Sequence, residues 1–165
     1  MATAYPLTGI LFIRDFRVDA AAKGVSVAEA ALRDAQATHL RLQEAHIAYR
    51  TWRGEETGRR YQAIMGQRLT QDELDKFKIG LSILIDEELH KEAAVRDAAR
   101  AIEVARENVD AARQAWRFAD RDRQKIIYHR GEWQKEYARE VARQEDLELE
   151  EFKPVLFVAE AEAGE

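Results

Sequence analysis

The sequence predicts an all-α protein, a long antiparallel two-helix coiled-coil hairpin with unequal arms. Three observations carry that expectation. The chain has only two prolines and eight glycines in 165 residues while 35% of it is charged, a composition of long solvated helices rather than of a globule with a large core. Apolar and small residues recur at alternating three- and four-residue spacing over most of the length, as a heptad seam requires. Between two such stretches lies Gly66-Gln-Arg-Leu-Thr70-Gln-Asp-Glu73, which reads as a helix stop followed by a helix start. A single hairpin over 1–165 is expected: helix one about 9–65, a turn at 66–70, helix two about 71–152 and a loose tail at 153–165.

Helix one opens near Tyr5-Pro6-Leu7-Thr8, with Pro6 in its first turn or Thr8 as its cap. Ile10, Ile13 and Phe16 follow at helical spacing. Gly24, Gly54 and Gly58 each weaken the helix by about 1 kcal/mol relative to alanine, so bends or frayed turns are expected there. From Ala28 the seam reads Ala28, Ala31, Ala35, Thr38, Leu42, Ala45, Tyr49, Trp52. Its small side chains suit a partner helix that comes close or supplies larger ones.

The turn follows from local chemistry. Gly66 suits the left-handed conformation that ends a helix. Thr70 and Glu73 form a capping box, in which the hydroxyl accepts from the Glu73 N–H and the carboxylate reaches back to the Thr70 N–H. Asp72 places further negative charge where the helix dipole favours it.

Helix two carries the longer seam: Leu74, Phe77, Leu81, Leu84, Glu88, Lys91, Val95, Ala98, Ile102, Ala105, Val109, Ala112, Trp116, Ala119. It continues through Arg123, Ile126, Arg130, Trp133, Tyr137, Glu140, Gln144 and Leu147. A strict seven-residue repeat of this length imposes a left-handed supercoil. Pro154 is expected to end it, since the residue before a proline is biased away from helix. Folding the chain back at Leu69 pairs positions whose numbers add to about 137, so that small residues face branched ones, in the regime of close knobs-into-holes packing. Ala28 then meets Val109, Ala35 meets Ile102, and Arg50 and Arg53 lie opposite Asp86, Glu87 and Glu88. At 1.5 Å per residue the arms are about 85 Å and about 120 Å long. The excess of helix two, residues 130–152, is expected to project alone, with Trp133 and Tyr137 unpartnered unless the N-terminal segment folds over them or two copies pair.

Composition excludes several functions. A net charge of −5 argues against nucleic acid, which needs clustered Lys and Arg in excess. No cysteine is present, so there is no disulfide framework, thiol nucleophile or cysteine-rich zinc site, and the cytoplasm is the expected compartment. The apolar run 7–13 is too short to insert in a membrane and leads directly into Arg14 and Asp15. His39 and His46 lie seven apart on one face and the expected register brings His46 near His90, but a metal site would need a third ligand and a second shell. Gly54-Glu-Glu-Thr-Gly58 is not a phosphate loop, and adjacent glutamates such as Glu55-Glu56 do not face each other on a helix. No enzyme activity and no cofactor or metal is expected. From Glu132 onward there are eleven Asp/Glu against four Lys/Arg, whereas 113–130 has six Lys/Arg against two Asp; this polarity could orient the protein towards a partner.

The order of these features is similar to that in the YscO/FliJ family of type III export proteins. The resemblance covers roughly 10–152. It rests on Ile10-Leu-Phe-Ile-Arg-Asp-Phe-Arg17, on Tyr49-Arg-Thr-Trp-Arg-Gly-Glu-Glu56 followed by Arg59-Arg-Tyr61, and on the turn followed by Glu73-Leu-Asp-Lys-Phe77. Ala101-Ile-Glu-Val-Ala-Arg106, Ala111-Ala-Arg113, Lys125 and Trp133-Gln-Lys-Glu136 complete it. The resemblance implies a cytoplasmic stalk of a bacterial injectisome or flagellum, linking a hexameric secretion ATPase to an export gate, promoting assembly of the ATPase ring and handling secretion chaperones. Carried onto this chain, the gate-binding tip would be Tyr61, Ile64, Met65, Leu69, Leu74 and Phe77. The ATPase-binding helix ends would be Ile10, Ile13, Arg14, Phe16, Arg17, Trp133 and Tyr137. A monomer is expected in isolation, with no nucleic-acid partner and no membrane insertion. The competing reading is a coiled-coil scaffold or client-binding chaperone unrelated to secretion.

Overall fold

The computed structural model describes the backbone of residues 4–162 and the side chains of residues 4–151. Among them there are two α-helices and no strand: α1, Thr8–Ile64, and α2, Gln71–Glu162. The helices pack against each other as a helical hairpin coiled coil with arms of unequal length. Packing divides the chain into two compact units, Ala22–Ala115 and the combination of Met1–Ala21 with Trp116–Glu165.

The turn forms as its residues dictate. α1 ends at Ile64, and Gly66 takes a φ of 80°, a backbone conformation in which a Cβ would be strained. Glu73 N–H donates to Thr70 Oγ1 at 3.3 Å, and Thr70 N–H donates back to Glu73 Oε2 at 2.8 Å. Leu74 N–H donates to the Thr70 carbonyl at 3.1 Å as the first helical bond. These bonds hold the Glu73 carboxyl below its ordinary value, the backbone N–H of Thr70 contributing most.

In the unit Ala22–Ala115 the antiparallel register is fixed by contacts between the arms. Arg113 pairs with Glu29 at 2.8 Å, Arg53 forms an ion pair with Glu88, Tyr49 OH donates to the Leu84 carbonyl at 3.3 Å, and Tyr61 meets Phe77. Their residue numbers add to values around the expected 137, and the Arg53 pair falls where charge matching puts it. In this unit the seam of α2 matches expectation, with Leu84, Ala105 and Val109 buried, whereas Trp116, Glu140, Gln144 and Leu147 of the expected seam further on are exposed. The seam of α1 differs in phase. Ala28, Ala35, Leu42 and Tyr49 are half-buried, but the intervening positions are Leu32, His39, His46 and Arg53 rather than the exposed Ala31, Thr38, Ala45 and Trp52. A four-three alternation satisfies a heptad as well as a three-four one, and the partner's surface chooses between them.

The frayed turns expected as one outcome at Gly24, Gly54 and Gly58 do not occur, and α1 runs unbroken through all three. A local propensity cost of about 1 kcal/mol each is outweighed by the packing of a continuous face, which is where most helix stability arises. The expected helix end before Pro154 is also corrected: α2 extends to Glu162. A proline removes one backbone donor, and the surrounding Glu, Ala and Leu residues are strong helix formers. The tail expected to be loose is therefore helical to 162, and 163–165 lie outside the described residues.

In the unit formed by Met1–Ala21 and Trp116–Glu165, Val18 and Tyr5 are the buried apolar residues among those described. Arg14 pairs with Asp122 at 2.8 Å, and Arg123 lies 3.9 Å from Asp15. α1 starts as neither expectation put it. Leu7 supplies the first helical carbonyl, to Leu11 N–H at 3.0 Å, and Thr8 donates both its N–H and its hydroxyl to the Tyr5 carbonyl, at 3.2 and 2.5 Å. Pro6 thus precedes the cap.

Candidate functional site

The turn end is built on Gly66 and the capping box, which fix where α1 stops and α2 begins. Of the six residues expected at this tip, Ile64, Leu69, Leu74 and Phe77 are half-buried. Phe77 meets the Tyr61 ring edge-on, with centroids 5.2 Å apart, a favourable aromatic geometry. These side chains close the hairpin. What remains available is Met65, 76% exposed, and the outer side of Tyr61. Sequence reasoning missed an adjoining set on α2: Ile79, Ile83, Ile85 and Leu89 are all exposed. The signal was present as apolar pairs at i,i+4 lying off the seam.

Two polar clusters brace this unit. Arg60 donates to Glu56 at 2.8 Å and crosses to the Gly80 carbonyl at 3.1 Å; the glycine leaves room for the guanidinium. Tyr49 contacts the Trp52 ring at 5.3 Å and lies 5.1 Å from Lys91 Nζ. Burial raises the Tyr49 phenol above its ordinary value, reinforced by Glu87. His39 and His46 are half-buried and His90 is exposed; among the described residues no group of three potential ligands could hold a metal.

In the other unit, the start of α1 turns one side to α2 and the other to solvent. Leu11, Arg14 and Val18 face inward. Arg14 is therefore a structural ion-pair residue here, with Asp122 held below the ordinary carboxylate value by Lys125 first and by Arg14 as well. Ile10, Ile13, Phe16 and Arg17 are exposed, as a docking surface requires. Phe12, absent from the expected set, is 74% exposed and joins Phe16 one turn on.

Trp133 and Tyr137 are not unpartnered, and of the expected alternatives it is the N-terminal segment that reaches them. Trp133 stacks on Tyr137 at 5.4 Å with an interplanar angle of 11°, and Tyr5 packs tilted against Trp133 at 5.5 Å. Tyr5, only 8% exposed, shares a 2.8 Å hydrogen bond with His129 Nδ1 and donates to the Ile126 carbonyl at 3.4 Å. The N-terminal segment thus folds over the aromatics. Tyr5 was missed because its contact spans 124 residues; only its place before a proline, which favours an extended backbone, hinted at an ordered strap.

The described residues thus form a helical hairpin coiled coil with apolar side chains left exposed beside the turn and along the first turns of α1. The family profile described as Type III secretion protein YscO matches residues 7–155. The chain belongs to that family and has a role in type III secretion. Its structure is similar to that of the type III secretion protein YscO from Vibrio parahaemolyticus, with a TM-score of 0.84 and 25% identity over 88% of this chain and 92% of that one. It also shares its fold with a putative YscO homolog, CT670, from Chlamydia trachomatis, with a TM-score of 0.74 and 23% identity over 93% and 94% of the two chains. No curated protein sequence matches the chain. Among the described residues no helix is long and apolar enough to cross a membrane.

Proposed function

We propose that this protein is the central stalk of a bacterial type III export apparatus, cytoplasmic and bound to the secretion machine. It links the hexameric secretion ATPase to the export gate, promotes assembly of the ATPase ring and receives secretion chaperones. The observation that carries the reading is the exposure of Phe12, Ile13 and Phe16 along the first turns of α1 in a chain of the YscO family. Exposed aromatic and branched side chains grouped on one helix face mark a docking surface. The ring then meets Ile10, Phe12, Ile13, Phe16 and Arg17, while Trp133 and Tyr137 hold the adjoining helix through Tyr5. The gate meets Tyr61 and Met65, with Ile64, Leu69, Leu74 and Phe77 as the rigid base beneath them.

The test is ATP hydrolysis by the cognate secretion ATPase with and without this protein, together with light scattering of the protein alone. Stimulation by a monomer, lost in Phe12→Asp/Phe16→Asp with helicity unchanged, is the expected result. A stable dimer with no effect on hydrolysis would overturn the stalk reading and favour a scaffold or client-binding chaperone.

A further inference from the structure

The solvent side of α2 between residues 117 and 128 carries three cations at successive four-residue spacing. Elsewhere on α2 the exposed cations Arg96, Arg100, Arg106 and Lys135 are compensated one turn away by Glu92, Asp97, Glu103 and Glu132, at 2.7–3.2 Å, and Lys76, Lys78 and Arg139, without a described ion pair, still have Asp72, Asp75 and Glu136 one turn away in the sequence. Such i,i+3 and i,i+4 pairs are the ordinary way a solvated helix balances its charge. Arg117 and Arg121 have no such partner among the described ion pairs. Arg121 has as its helical neighbours Arg117, Phe118, Gln124 and Lys125, so no carboxylate is within its reach on the helix. The two acids of the stretch are taken up elsewhere, Asp122 by Arg14 and Lys125 and Asp120 by Arg123.

Arg117, Arg121 and Lys125 follow one another at four-residue spacing, which puts three like charges in a row where each adjacent pair costs a few tenths of a kcal/mol. Lys125 keeps its side chain 76% exposed despite its contact with Asp122. The row is flanked by two exposed aromatics, Phe118 at 68% and Tyr128 at 72%. Helix stability explains neither the repelling row nor the exposed rings, whereas an anionic partner that covers both explains each.

We propose that this face docks an acidic amphipathic helix of another protein, whose carboxylates meet Arg117, Arg121 and Lys125 and whose apolar side chains cover Phe118 and Tyr128. The chemistry selects a protein over a nucleic acid or an anionic bilayer. A polyanion continuing along α2 would meet Glu132, Glu136 and Glu140 within a few turns and be repelled, whereas a helix of about three turns, roughly 17 Å, ends before them. Guanidinium groups engage carboxylates in bidentate pairs, and arginine and aromatic residues are the side chains enriched at interface centres. The proposal holds whichever component of the secretion machine carries the helix, and it uses none of the residues assigned above to the ring or the gate.

The experiment places the photocrosslinker p-benzoylphenylalanine at position 118 or 128 of the full-length chain in secreting cells, and identifies the crosslinked peptide by mass spectrometry. The expected product is a peptide from another protein with carboxylates at helical spacing. It should be lost in Arg117→Glu/Arg121→Glu and retained in Arg96→Glu/Arg100→Glu, with circular dichroism showing equal helicity in all variants. Crosslinks to a neutral or basic peptide, to a second copy of this chain, to RNA or to lipid would overturn the proposal. So would no crosslink, or one that survives the charge reversal. A crosslink of the expected kind in cells whose secretion is indifferent to deletion of the protein would leave this interface standing and remove the stalk reading.

Discussion

Replacing Tyr5 tests the strap that closes the aromatic stack. Its side chain is nearly buried against Trp133 and His129. A tyrosine removes about 150–250 Å² from water when buried, and at ~25 cal/mol per Å² that is ~4–6 kcal/mol as an upper bound. Tyr5→Ala should therefore cost about 3–4 kcal/mol, within the range of buried aromatic truncations. Tyr5→Phe keeps the ring and loses the hydroxyl bonded to His129 and Ile126, so it should cost only ~1 kcal/mol. Because Tyr5 lies at the chain end, the loss should appear as local opening rather than as a lower global melting temperature. With Trp52 and Trp116 replaced by phenylalanine, acrylamide quenching reports Trp133 alone. Tyr5→Ala should raise quenching and speed amide exchange at 126–137, while Tyr5→Phe should change both slightly. Equal quenching in Tyr5→Ala and the parent would refute the strap. Equal effects of Ala and Phe would place its energy in the hydroxyl instead of the ring.

Other outcomes follow from the same geometry. Gly24→Ala, where a methyl meets no atom within 4 Å, should stabilise the protein by about 0.5–1 kcal/mol in urea unfolding. Gly66→Ala should cost ~1–2 kcal/mol in the same assay, because the φ of 80° penalises a Cβ. Thr70→Ala should cost about 1 kcal/mol and return the Glu73 carboxyl towards its ordinary value in an NMR titration. The Glu73 value is lowered in the folded protein, so its contribution to stability is present above the unfolded carboxylate value of about 4.3 and is lost as pH falls through the lower folded value; Glu73→Gln should flatten that part of the stability profile. Arg53→Ala should destabilise more than Arg96→Ala, since Arg53 bridges the two arms to a half-buried Glu88 whereas the Arg96–Glu92 pair stays exposed on one helix.

The sequence by itself determined what depends on neighbours a few residues away. The all-helical class, the break at Gly66, the cap at Thr70 and Glu73 and the seam of α2 as far as Ala112 all follow from spacing, propensity and one turn's hydrogen bonds. The approximate register followed too, because the turn at 66–70 sets which positions of the two arms can meet, and the Arg53–Glu88 pair fell where charge put it. Tertiary structure decided what depends on the partner surface. It chose Leu32, His39, His46 and Arg53 for the seam of α1, since two phases of a heptad are equivalent until another helix lies against them. It carried α1 unbroken through Gly24, Gly54 and Gly58 because packing energy summed over a face exceeds a local propensity cost. It brought Tyr5 onto Trp133 across 124 residues to His129 and beyond, a contact with no local signature. It also divided the expected site residues into those that close the hairpin, such as Phe77, and those left to solvent, such as Met65, because exposure is a property of the assembled pair of helices and not of either strand of sequence alone.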